Sequence, residues 1–369
     1  LEIDNNYYSS EEVFQKLVSY IVDEIQDDSK FDKKVYHSMV DSGVLSGREI
    51  CLLLYDQKVL KKKISTYQKL QAGMISPYSF LKSKIRSLEI SAGDLGLTPC
   101  SCAVIVTDVK TGKVKALTSY PSYDNNKFAN SVDADYYAKI STSSASPLLN
   151  RATQQKAAPG STFKMVTATT ALEEGIINPY TRIHDGVQFN KINKPWPKCW
   201  STYSHGNINV SQAIQHSCNY FFYEMGYRLG NGHNTLVDNE KGLSKLKKYA
   251  EKYGLTEKSG IELPEAEPTF SDVDVVRSAI GQGSHSYTPV QMSRYVTTIA
   301  NGGTCFDLTL IQKIKDAKSK TQDKKLSNVR NKLNFQSSTL TAIKTGMKNV
   351  VQAGSIKSLF NNVNVTVAG

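Results

Sequence analysis

The segment Ala158-Pro159-Gly160-Ser161-Thr162-Phe163-Lys164 places a serine and a lysine three residues apart. Its proline and glycine mark the end of a loop, and Met165–Leu172 holds only apolar residues and threonines, so we expect a largely buried helix to begin here. On that helix the Ser161 hydroxyl and the Lys164 amine share one face. Burial favours the neutral form of a lysine, which can then take the proton of a serine hydroxyl. The segment therefore predicts the nucleophile and base of an acyl-transfer enzyme.

Two further Ser-x-x-Lys matches show that this spacing is weak evidence by itself. Ser79 with Lys82 lies in a helical stretch without a preceding turn signal, and Ser244 with Lys247 lies in a charge-dense segment typical of a solvated helix face. For an isolated match, the ordinary interpretation is a helix-capping serine followed by a lysine whose side chain extends to solvent. The apolar helix after Ser161 is what favours chemistry at that position.

A second motif, Ser217-Cys218-Asn219, precedes the aromatic run Tyr220-Phe221-Phe222. Together the two motifs resemble those of the penicilloyl-serine transferases, and specifically of the class B penicillin-binding proteins. Further segments that resemble this family are Ser101–Asn126, Asn150–Ala152, Gly260–Pro264, Ile280–Gly283 and Tyr287–Met292. The resemblance runs from near Leu97 to the end of the chain, so the chain is identified as a member of the family.

The resemblance implies an α/β (α+β) architecture, the penicillin-binding protein transpeptidase fold, with a central antiparallel sheet flanked by helices. This domain is expected over residues 96–369, after a smaller helical N-terminal pedestal region over residues 1–95. Capping boxes at Ser9–Glu12 and Ser46–Glu49 predict helix starts in the first region. The first of these helices is amphipathic, and the apolar residues predicted to face inward are Phe14, Leu17, Val18, Ile21 and Ile25.

The family's third motif, Lys-Thr-Gly on a strand, has one match by spelling, Lys344-Thr345-Gly346. Apolar residues around that match recur at i, i+4, i+7 and i+8, which is helical spacing, so we interpret it as a decoy. Asn362–Gly369 alternates with a period of two and is predicted to be a strand. In the family such a strand runs directly into the third motif and supplies one of two oxyanion N–H groups. The resemblance therefore implies that the third motif follows Gly369.

The resemblance also implies an activity, that of a serine D,D-transpeptidase of peptidoglycan. In the mechanism it implies, Ser161 attacks the penultimate D-alanine of a stem peptide with neutral Lys164 as the base. Ser217 relays a proton toward the leaving D-alanine, while Asn219 holds the substrate amide and orients Lys164. An amine of a second stem peptide resolves the acyl-enzyme, whereas β-lactams acylate Ser161 and remain bound. Three alternatives stay open: a serine β-lactamase, a β-lactam sensor domain and an inactive scaffold of a wall-synthesis complex.

Cys199, His205 and Cys218 form a Cys-x5-His-x12-Cys pattern with Asp185 upstream, and zinc accepts ligands of these types. The spacing fits no common zinc finger, but it resembles the zinc site of some elongation-type class B proteins. That resemblance implies a structural zinc ion, with His184 as the alternative to Asp185. The implied ligands are Asp185, Cys199, His205 and Cys218. The alternatives without a metal are a Cys199–Cys218 disulfide and two buried free thiols.

Composition and charge are consistent with an enzyme outside the cytoplasm. The net charge of +11 would permit nucleic-acid binding, but the basic residues are dispersed among acidic ones and no nucleic-acid motif occurs, so we expect no nucleic-acid partner. No run of about 18 apolar residues occurs. Because class B proteins usually begin with a membrane anchor, we expect the outer face of the cell membrane, through an N-terminal anchor outside this chain. The expected partners are stem peptides, β-lactams and a membrane glycosyltransferase of the wall-synthesis complex.

Overall fold

The computed structural model describes residues 8–369 except 27, 62, 88, 91–100, 144, 319 and 324–327. The chain divides into two compact units, one formed by Leu1–Cys100 with Ser143–Ala145 and the other by Ser101–Thr142 with Ser146–Gly369. The predicted boundary between residues 95 and 96 lies outside the described residues and stays a prediction.

Helices make up the described part of the first unit. They are α1 Ser10–Ile25, α2 Ser29–Asp41, α3 Gly47–Asp56, α4 Ile64–Gln71 and α5 Pro77–Arg86. Both predicted capping boxes are confirmed, because Ser9 and Ser46 each accept a hydrogen bond from the backbone N–H three residues later, at Glu12 and Glu49. The buried core of this unit consists of Cys51, Leu54, Tyr55, Leu60, Leu70, Phe80 and Ile90.

The prediction that an apolar face of α1 points inward is wrong. Phe14, Leu17, Val18 and Ile21 are exposed, Ile25 is half-buried, and α1 contains no buried residue. Helical periodicity determines which side chains share a face, but burial also needs a second element packed against that face. The sequence pattern alone carried no information about that second element.

The second unit mixes helices with short strands, as predicted for an α/β (α+β) chain. Its helices are α6 Ala134–Ser141, α7 Lys164–Glu173, α8 Val210–Gln215, α9 Asn219–Leu229, α10 Asn239–Lys252, α11 Val275–Ser278, α12 Pro289–Ala300 and α13 Ser337–Gln352. Its strands are β1 Cys102–Thr107, β2 Val114–Tyr120, β3 Ile183–His184, β4 Asn207–Ile208, β5 Thr304–Phe306, β6 Ile314–Lys315, β7 Thr321–Asp323 and β8 Val329–Lys332. In the described residues of the whole chain, no helix has both the length and the apolarity that crossing a membrane requires.

The strands of the second unit pair as antiparallel hairpins and short ladders. The pairs among the described residues are β1–β2, β3–β4, β5–β8 and β6–β7. The β1–β2 ladder runs from Cys102 opposite Tyr120 to Thr107 opposite Val114. Helix α12 packs against β1, where the hydroxyls of Thr107 and Thr297 are 2.5 Å apart. Within the described residues, the predicted antiparallel sheet is thus represented chiefly by one hairpin covered by a helix.

Helix α7 is buried, as its sequence predicted. Every residue from Lys164 to Leu172 is buried, and the helix packs against α9, α10 and α13. Its threonine hydroxyls find partners inside the core, since Thr167 donates to the Ala279 carbonyl at 2.7 Å and Thr170 to the Val166 carbonyl at 2.9 Å. These bonds satisfy polar groups that would otherwise destabilise a buried helix. The start of α7 is therefore held in a rigid part of the fold.

The Lys344-Thr345-Gly346 segment lies within α13, which confirms the helical prediction for it. Gly346 is where α13 approaches α8, because a Cβ on Gly346 would lie 2.7 Å from the Cβ of Ile214.

The predicted strand over residues 362–369 is wrong. Residues 361–369 form turns and coil, and the Gly369 N–H donates to the Met347 carbonyl of α13 at 3.0 Å. Alternation produces a strand only where a neighbouring strand accepts the backbone hydrogen bonds, and no described strand pairs with this segment.

Candidate active site

Ser161 lies in a sharp turn that leads into α7. A 3-10 helix, Gly160–Phe163, carries Ser161, whose side chain is exposed. The turn requires glycine at two places. Gly160 has a φ of 56°, and Gly281 packs so closely that a Cβ on it would lie 2.0 Å from the Gly160 carbonyl oxygen. The Gly160 N–H donates to the Gly281 carbonyl at 3.0 Å, so the Gly281 segment holds the turn that presents Ser161.

Lys164, one turn after Ser161, is only 1% exposed. Its Nζ donates to Asn219 Oδ1 and to the Ser217 carbonyl, both at 2.7 Å, and to Ser217 Oγ at 3.0 Å. Burial penalises the charged form and lowers the pKa of Lys164 from 10.5 to about 8. A lysine with such a pKa keeps a usable neutral fraction near neutral pH, which is the condition for general-base catalysis.

The three contacts of Lys164 define where its protons can go. An ammonium group has three N–H donors and no acceptor, which matches the three acceptors that Ser217 and Asn219 provide. After Lys164 loses a proton, two N–H groups remain and the lone pair accepts a hydrogen bond. The Ser217 hydroxyl, whose Oγ is 3.0 Å from Nζ, can then donate to it. The arrangement is suited to passing a proton between Lys164 and Ser217.

Ser217 occupies a backbone position that usually selects glycine. Its φ of 48° lies in the left-handed region, at a cost of about 1 kcal/mol for a residue with a Cβ. Ser217 closes a Schellman motif after α8, in which its N–H donates to the Ile214 carbonyl and the Cys218 N–H donates to the Ala213 carbonyl, at 3.0 and 2.9 Å. A serine in this place is explained by the contact of its hydroxyl with Lys164.

Cys218 and Asn219 form the beginning of α9. Cys218 is the N-cap residue, and its Sγ accepts a hydrogen bond from the Phe221 N–H at 3.4 Å. Asn219 is the first residue of the helix and directs its amide oxygen to Lys164. Phe221 and Phe222 follow and are almost fully buried, so the aromatic run anchors the motif in the core.

A second group of predicted residues comes together directly beside the first. The ligand atoms of Asp185, Cys199, His205 and Cys218 all lie within 4.8 Å of one another. The short β3–β4 ladder, in which His184 is opposite Asn207, brings the chain segments of Asp185 and His205 side by side. Because Cys218 lies between Ser217 and Asn219, this cluster is directly connected to the residues that contact Lys164.

Sequence analysis left open whether Asp185 or His184 belongs to the cluster, and the structure favours Asp185. Asp185 is buried, whereas His184 is exposed and lies outside the cluster. One carboxylate oxygen of Asp185 lies 2.6 Å from His205 Nδ1 and accepts from the His205 N–H at 3.1 Å. The other oxygen accepts from the Val187 N–H at 2.8 Å. These bonds orient a carboxylate and an imidazole toward the two cysteines.

The donor set of the cluster fits a zinc ion. Cys199 and Cys218 are both buried and both free, so the predicted alternative of a disulfide between them is not formed in this structure. A hydrogen bond between the two thiols lowers the pKa of Cys199 to about 5 and raises that of Cys218, whose burial raises it further. Zinc binds thiolate, imidazole and carboxylate ligands in tetrahedral sites, and this cluster offers all three types.

Two residues that support the turn carrying Ser161 were not identified as functional from the sequence. Gly281 belongs to a Gly-Gln-Gly segment. Such a composition indicates a close approach of two backbone segments, but it does not indicate that Gly160 is the residue approached. Tyr295 is buried, and its hydroxyl donates to the Thr162 carbonyl at 3.0 Å, across 133 residues of sequence. No local pattern could have paired Tyr295 with Thr162.

Residues 102–369 match the family described as the penicillin binding protein transpeptidase domain. The peptidoglycan D,D-transpeptidase MrdA of Escherichia coli is 32% identical over 218 residues, which are 54% of this chain and 32% of MrdA. The chain thus spans about a third of the length of that curated relative.

Similar solved structures support the same family assignment. PBP2 from Helicobacter pylori is 27% identical with a TM-score of 0.61, over 72% of this chain and 49% of that one. A chain from a peptidoglycan synthase complex that coordinates polymerization and crosslinking is 27% identical with a TM-score of 0.62, over 72% of this chain and 44% of that one. The chain therefore belongs to the penicillin-binding protein transpeptidase domain family and has its fold, as a class B member similar to PBP2.

Proposed function

We propose that the protein is a peptidoglycan D,D-transpeptidase that works through an acyl-enzyme at Ser161. The observation that carries this proposal is the environment of Lys164. Lys164 is buried, lies one turn after Ser161, and its Nζ contacts Ser217 and Asn219. Among the described residues, no salt bridge joins Lys164 to a carboxylate, and its Nζ is held by Ser217 and Asn219. A buried lysine with a lowered pKa beside the Ser217 hydroxyl is suited to act as a base. The D,D-transpeptidase activity of the related MrdA supports the same reaction.

In the proposed first half-reaction, Ser161 Oγ bonds to the carbonyl carbon of the penultimate D-alanine of a stem peptide. The amide bond to the terminal D-alanine breaks. The Ser161 proton passes to neutral Lys164, and Ser217, which is hydrogen-bonded to Lys164, relays a proton to the leaving amine. The Ser161 backbone N–H supplies one donor to the developing oxyanion.

In the proposed second half-reaction, an amine of another stem peptide attacks the ester carbonyl. The ester bond to Ser161 breaks, a new amide cross-link forms, and Ser161 regains its proton. Asn219 holds the substrate amide and keeps Lys164 directed at the reacting groups. A β-lactam acylates Ser161 by opening its ring, so its departing nitrogen stays attached and blocks the acceptor amine. This is the basis for proposing that β-lactams inhibit the protein.

The proposed cofactor is one structural zinc ion held by Asp185, Cys199, His205 and Cys218. The buried thiol pair and the bonded Asp185–His205 pair support this choice. With four protein ligands, the ion would keep no open position for water or substrate, so its contribution is to stabilise the local fold. Through Cys218 it would hold Ser217 and Asn219 at their places beside Lys164.

The proposed location is the outer face of the cell membrane, with an N-terminal anchor outside this chain. The proposed partner is a membrane glycosyltransferase of a wall-synthesis complex. The likeness to a chain of a peptidoglycan synthase complex that couples polymerization to crosslinking supports such a partner.

The test is covalent labelling of the protein by a fluorescent penicillin together with an assay of cross-linked stem peptides by mass spectrometry. We expect labelling and cross-linking by the unmodified protein, neither by Ser161→Ala, and both by Ser244→Ala, which changes a second Ser-x-x-Lys segment. Rapid release of the label without cross-linking would identify a β-lactamase instead. Stable labelling without any turnover of stem peptides would identify a sensor domain, and no labelling would identify a scaffold.

A further inference from the structure

The turn that carries Ser161 changes its helical pitch at Thr162. In the 3-10 part of the turn, the Lys164 N–H donates to the Ser161 carbonyl, three residues earlier. The N-cap residue of α7 is Phe163, whose carbonyl is the first acceptor of the α-helical hydrogen bonds. The Thr162 carbonyl lies between these two patterns and accepts a hydrogen bond from the Tyr295 hydroxyl at 3.0 Å. A side chain of α12 thus supplies the donor at the junction.

The pitch at this junction decides how Ser161 and Lys164 face each other. Side chains three residues apart are eclipsed in a 3-10 turn, whereas in an α-helix, with about 3.6 residues per turn, they are rotated by about 60° around the axis. An α-helical turn here would join the Thr162 carbonyl to the Val166 N–H, four residues later. The Tyr295 hydroxyl instead interacts with both of these groups. It therefore favours the 3-10 turn, in which Ser161 is in line with Lys164.

The position of the Ser161 hydroxyl depends on this backbone. Within the part of the chain that the structure describes, no hydrogen bond holds the Ser161 side chain, which is exposed. Lys164, by contrast, is held by three hydrogen bonds of its Nζ. Two bonds hold the turn itself, one from the Gly160 N–H before Ser161 and one to the Thr162 carbonyl after it. The bond from Tyr295 is the one that fixes the backbone between the two reacting groups.

A second tyrosine beside Tyr295 provides a matched comparison. Tyr295 and Tyr253 are both fully buried, and their rings meet edge to face with centroids 5.3 Å apart. Burial raises the pKa of both hydroxyls, so both stay protonated at neutral pH. The Tyr253 hydroxyl lies 2.8 Å from Thr169 Oγ1 of α7. Tyr253 therefore bonds to the same helix as Tyr295 does, but beyond the turn that carries Ser161.

We propose that Tyr295 is a positioning residue that keeps the turn in its 3-10 form and so aligns the Ser161 hydroxyl with Lys164. The proposal rests on the proposed acylation of Ser161. Because Tyr295 is fully buried, it acts through the Thr162 carbonyl and not on the acyl donor. Without its hydroxyl, the Thr162 carbonyl is available to the α-helical pattern, which rotates Ser161 away from the base. Such a displacement slows the acylation step without weakening the binding of the donor.

The test measures acylation of Ser161 at increasing concentrations of a penicillin, for the unmodified protein, for Tyr295→Phe and for the control Tyr253→Phe. These measurements give the limiting rate constant of acylation and the penicillin concentration at half-saturation. In Tyr295→Phe we expect the limiting rate constant to fall about tenfold or more, while the half-saturating concentration stays the same. In Tyr253→Phe both constants stay within about twofold, although this variant also loses a buried hydroxyl that bonds to α7.

The outcomes separate alignment of Ser161 from general support of the fold. An equal loss of the limiting rate constant in both variants would overturn the proposal, and so would an unchanged value in Tyr295→Phe. A higher half-saturating concentration with an unchanged rate constant also counts against it. If Tyr295→Phe is unfolded in the assay, all three proteins are compared in concentrated sucrose, which favours the compact state, and the same outcomes decide. A failure of the proposed function looks different, because then penicillin does not acylate Ser161 in the unmodified protein.

Discussion

Three segments of this chain share the Ser-x-x-Lys spacing, yet only one of them has a buried lysine. Lys82 in α5 and Lys247 in α10 are exposed, whereas Lys164 in α7 is 1% exposed. Ser244, the serine paired with Lys247, donates to the Lys241 carbonyl of its own helix. These other segments make local helix contacts of the ordinary kind.

Lys164 differs because its partners come from elsewhere in the chain. Its acceptors on Ser217 and Asn219 lie 53 and 55 residues later. Spacing therefore puts a serine and a lysine on one helical face in all three segments, but only tertiary packing supplies the second hydroxyl and the amide. A short motif becomes a site when the fold removes it from water and brings a second motif to it.

The largest effect is expected when the buried lysine and the two exposed lysines of these segments are each replaced by alanine. We expect Lys164→Ala to lower the rate constant for acylation by fluorescent penicillin by about two to four orders of magnitude, because the base is lost. Lys82→Ala and Lys247→Ala should change it by no more than about twofold, as surface substitutions do. A comparable loss of acylation rate in Lys247→Ala would show that burial of the lysine does not distinguish the three segments. Thermal unfolding of each variant checks that the fold is intact.

The second test weakens what holds Ser217 and Asn219 beside Lys164. Cys199→Ser should lower the zinc content from one ion per chain and lower the melting temperature by several degrees, at about 2–4 °C for each kcal/mol lost. Acylation should slow as well, because Cys218 lies between the two residues that contact Lys164.

Cys305→Ser is the matched control for that test, because Cys305 is a buried free thiol outside the metal cluster. Elemental analysis of the purified proteins measures the metal, and we expect the Cys305 variant to retain it. Protein without zinc that is destabilised by a reductant but not by a chelator would instead indicate a disulfide.

The third test uses pH to compare a buried lysine with exposed ones. Acylation requires neutral Lys164, whose pKa is lowered to about 8, so the rate rises as pH increases through that value. The neutral fraction is about one tenth at pH 7 and about nine tenths at pH 9, so we expect roughly a tenfold increase followed by a plateau. The midpoint should be the same in Lys247→Ala. A flat profile between pH 6 and pH 10, or an increase only near pH 10.5, would contradict the role of Lys164 as the base.

The smallest expected effect on acylation is that of replacing Lys344, in the Lys344-Thr345-Gly346 segment that matches the third motif by sequence only. Lys344 lies on the exposed side of α13, where its Nζ donates to the Ala300 carbonyl at 3.3 Å. Lys344→Ala should therefore leave both stability and acylation nearly unchanged, within about 0.5 kcal/mol. Penicillin labelling and thermal unfolding measure the two quantities. A large loss of acylation would show that Lys344 belongs to the site after all.

Sequence patterns predicted the parts of the molecule that depend on local periodicity. The buried α7, the helical course of Lys344-Thr345-Gly346 and both capping boxes follow from spacing and residue type. The prediction that Asp185, Cys199, His205 and Cys218 form one group came from the family resemblance, and the structure brings them together.

The features that sequence patterns missed depend on contacts across long separations. The exposed face of α1 reflects the absence of buried contacts on that helix, and the coil over residues 361–369 reflects the absence of a described strand paired with it. Neither the contact of Gly281 with Gly160 nor that of Tyr295 with Thr162 leaves a local pattern. The roles of Ser161, Lys164, Ser217 and Asn219 stay predictions until the variants are measured.

The left-handed backbone at Ser217 makes stability and the contact with Lys164 favour different residues at one position. Glycine adopts this conformation without strain, so selection for heat resistance alone would favour Ser217→Gly. The same substitution removes the hydroxyl that contacts Lys164. A library selected only for thermal stability would become harder to unfold while losing the hydroxyl proposed to relay a proton. If the proposed relay is right, serine at this position exchanges some stability for the hydroxyl that contacts Lys164.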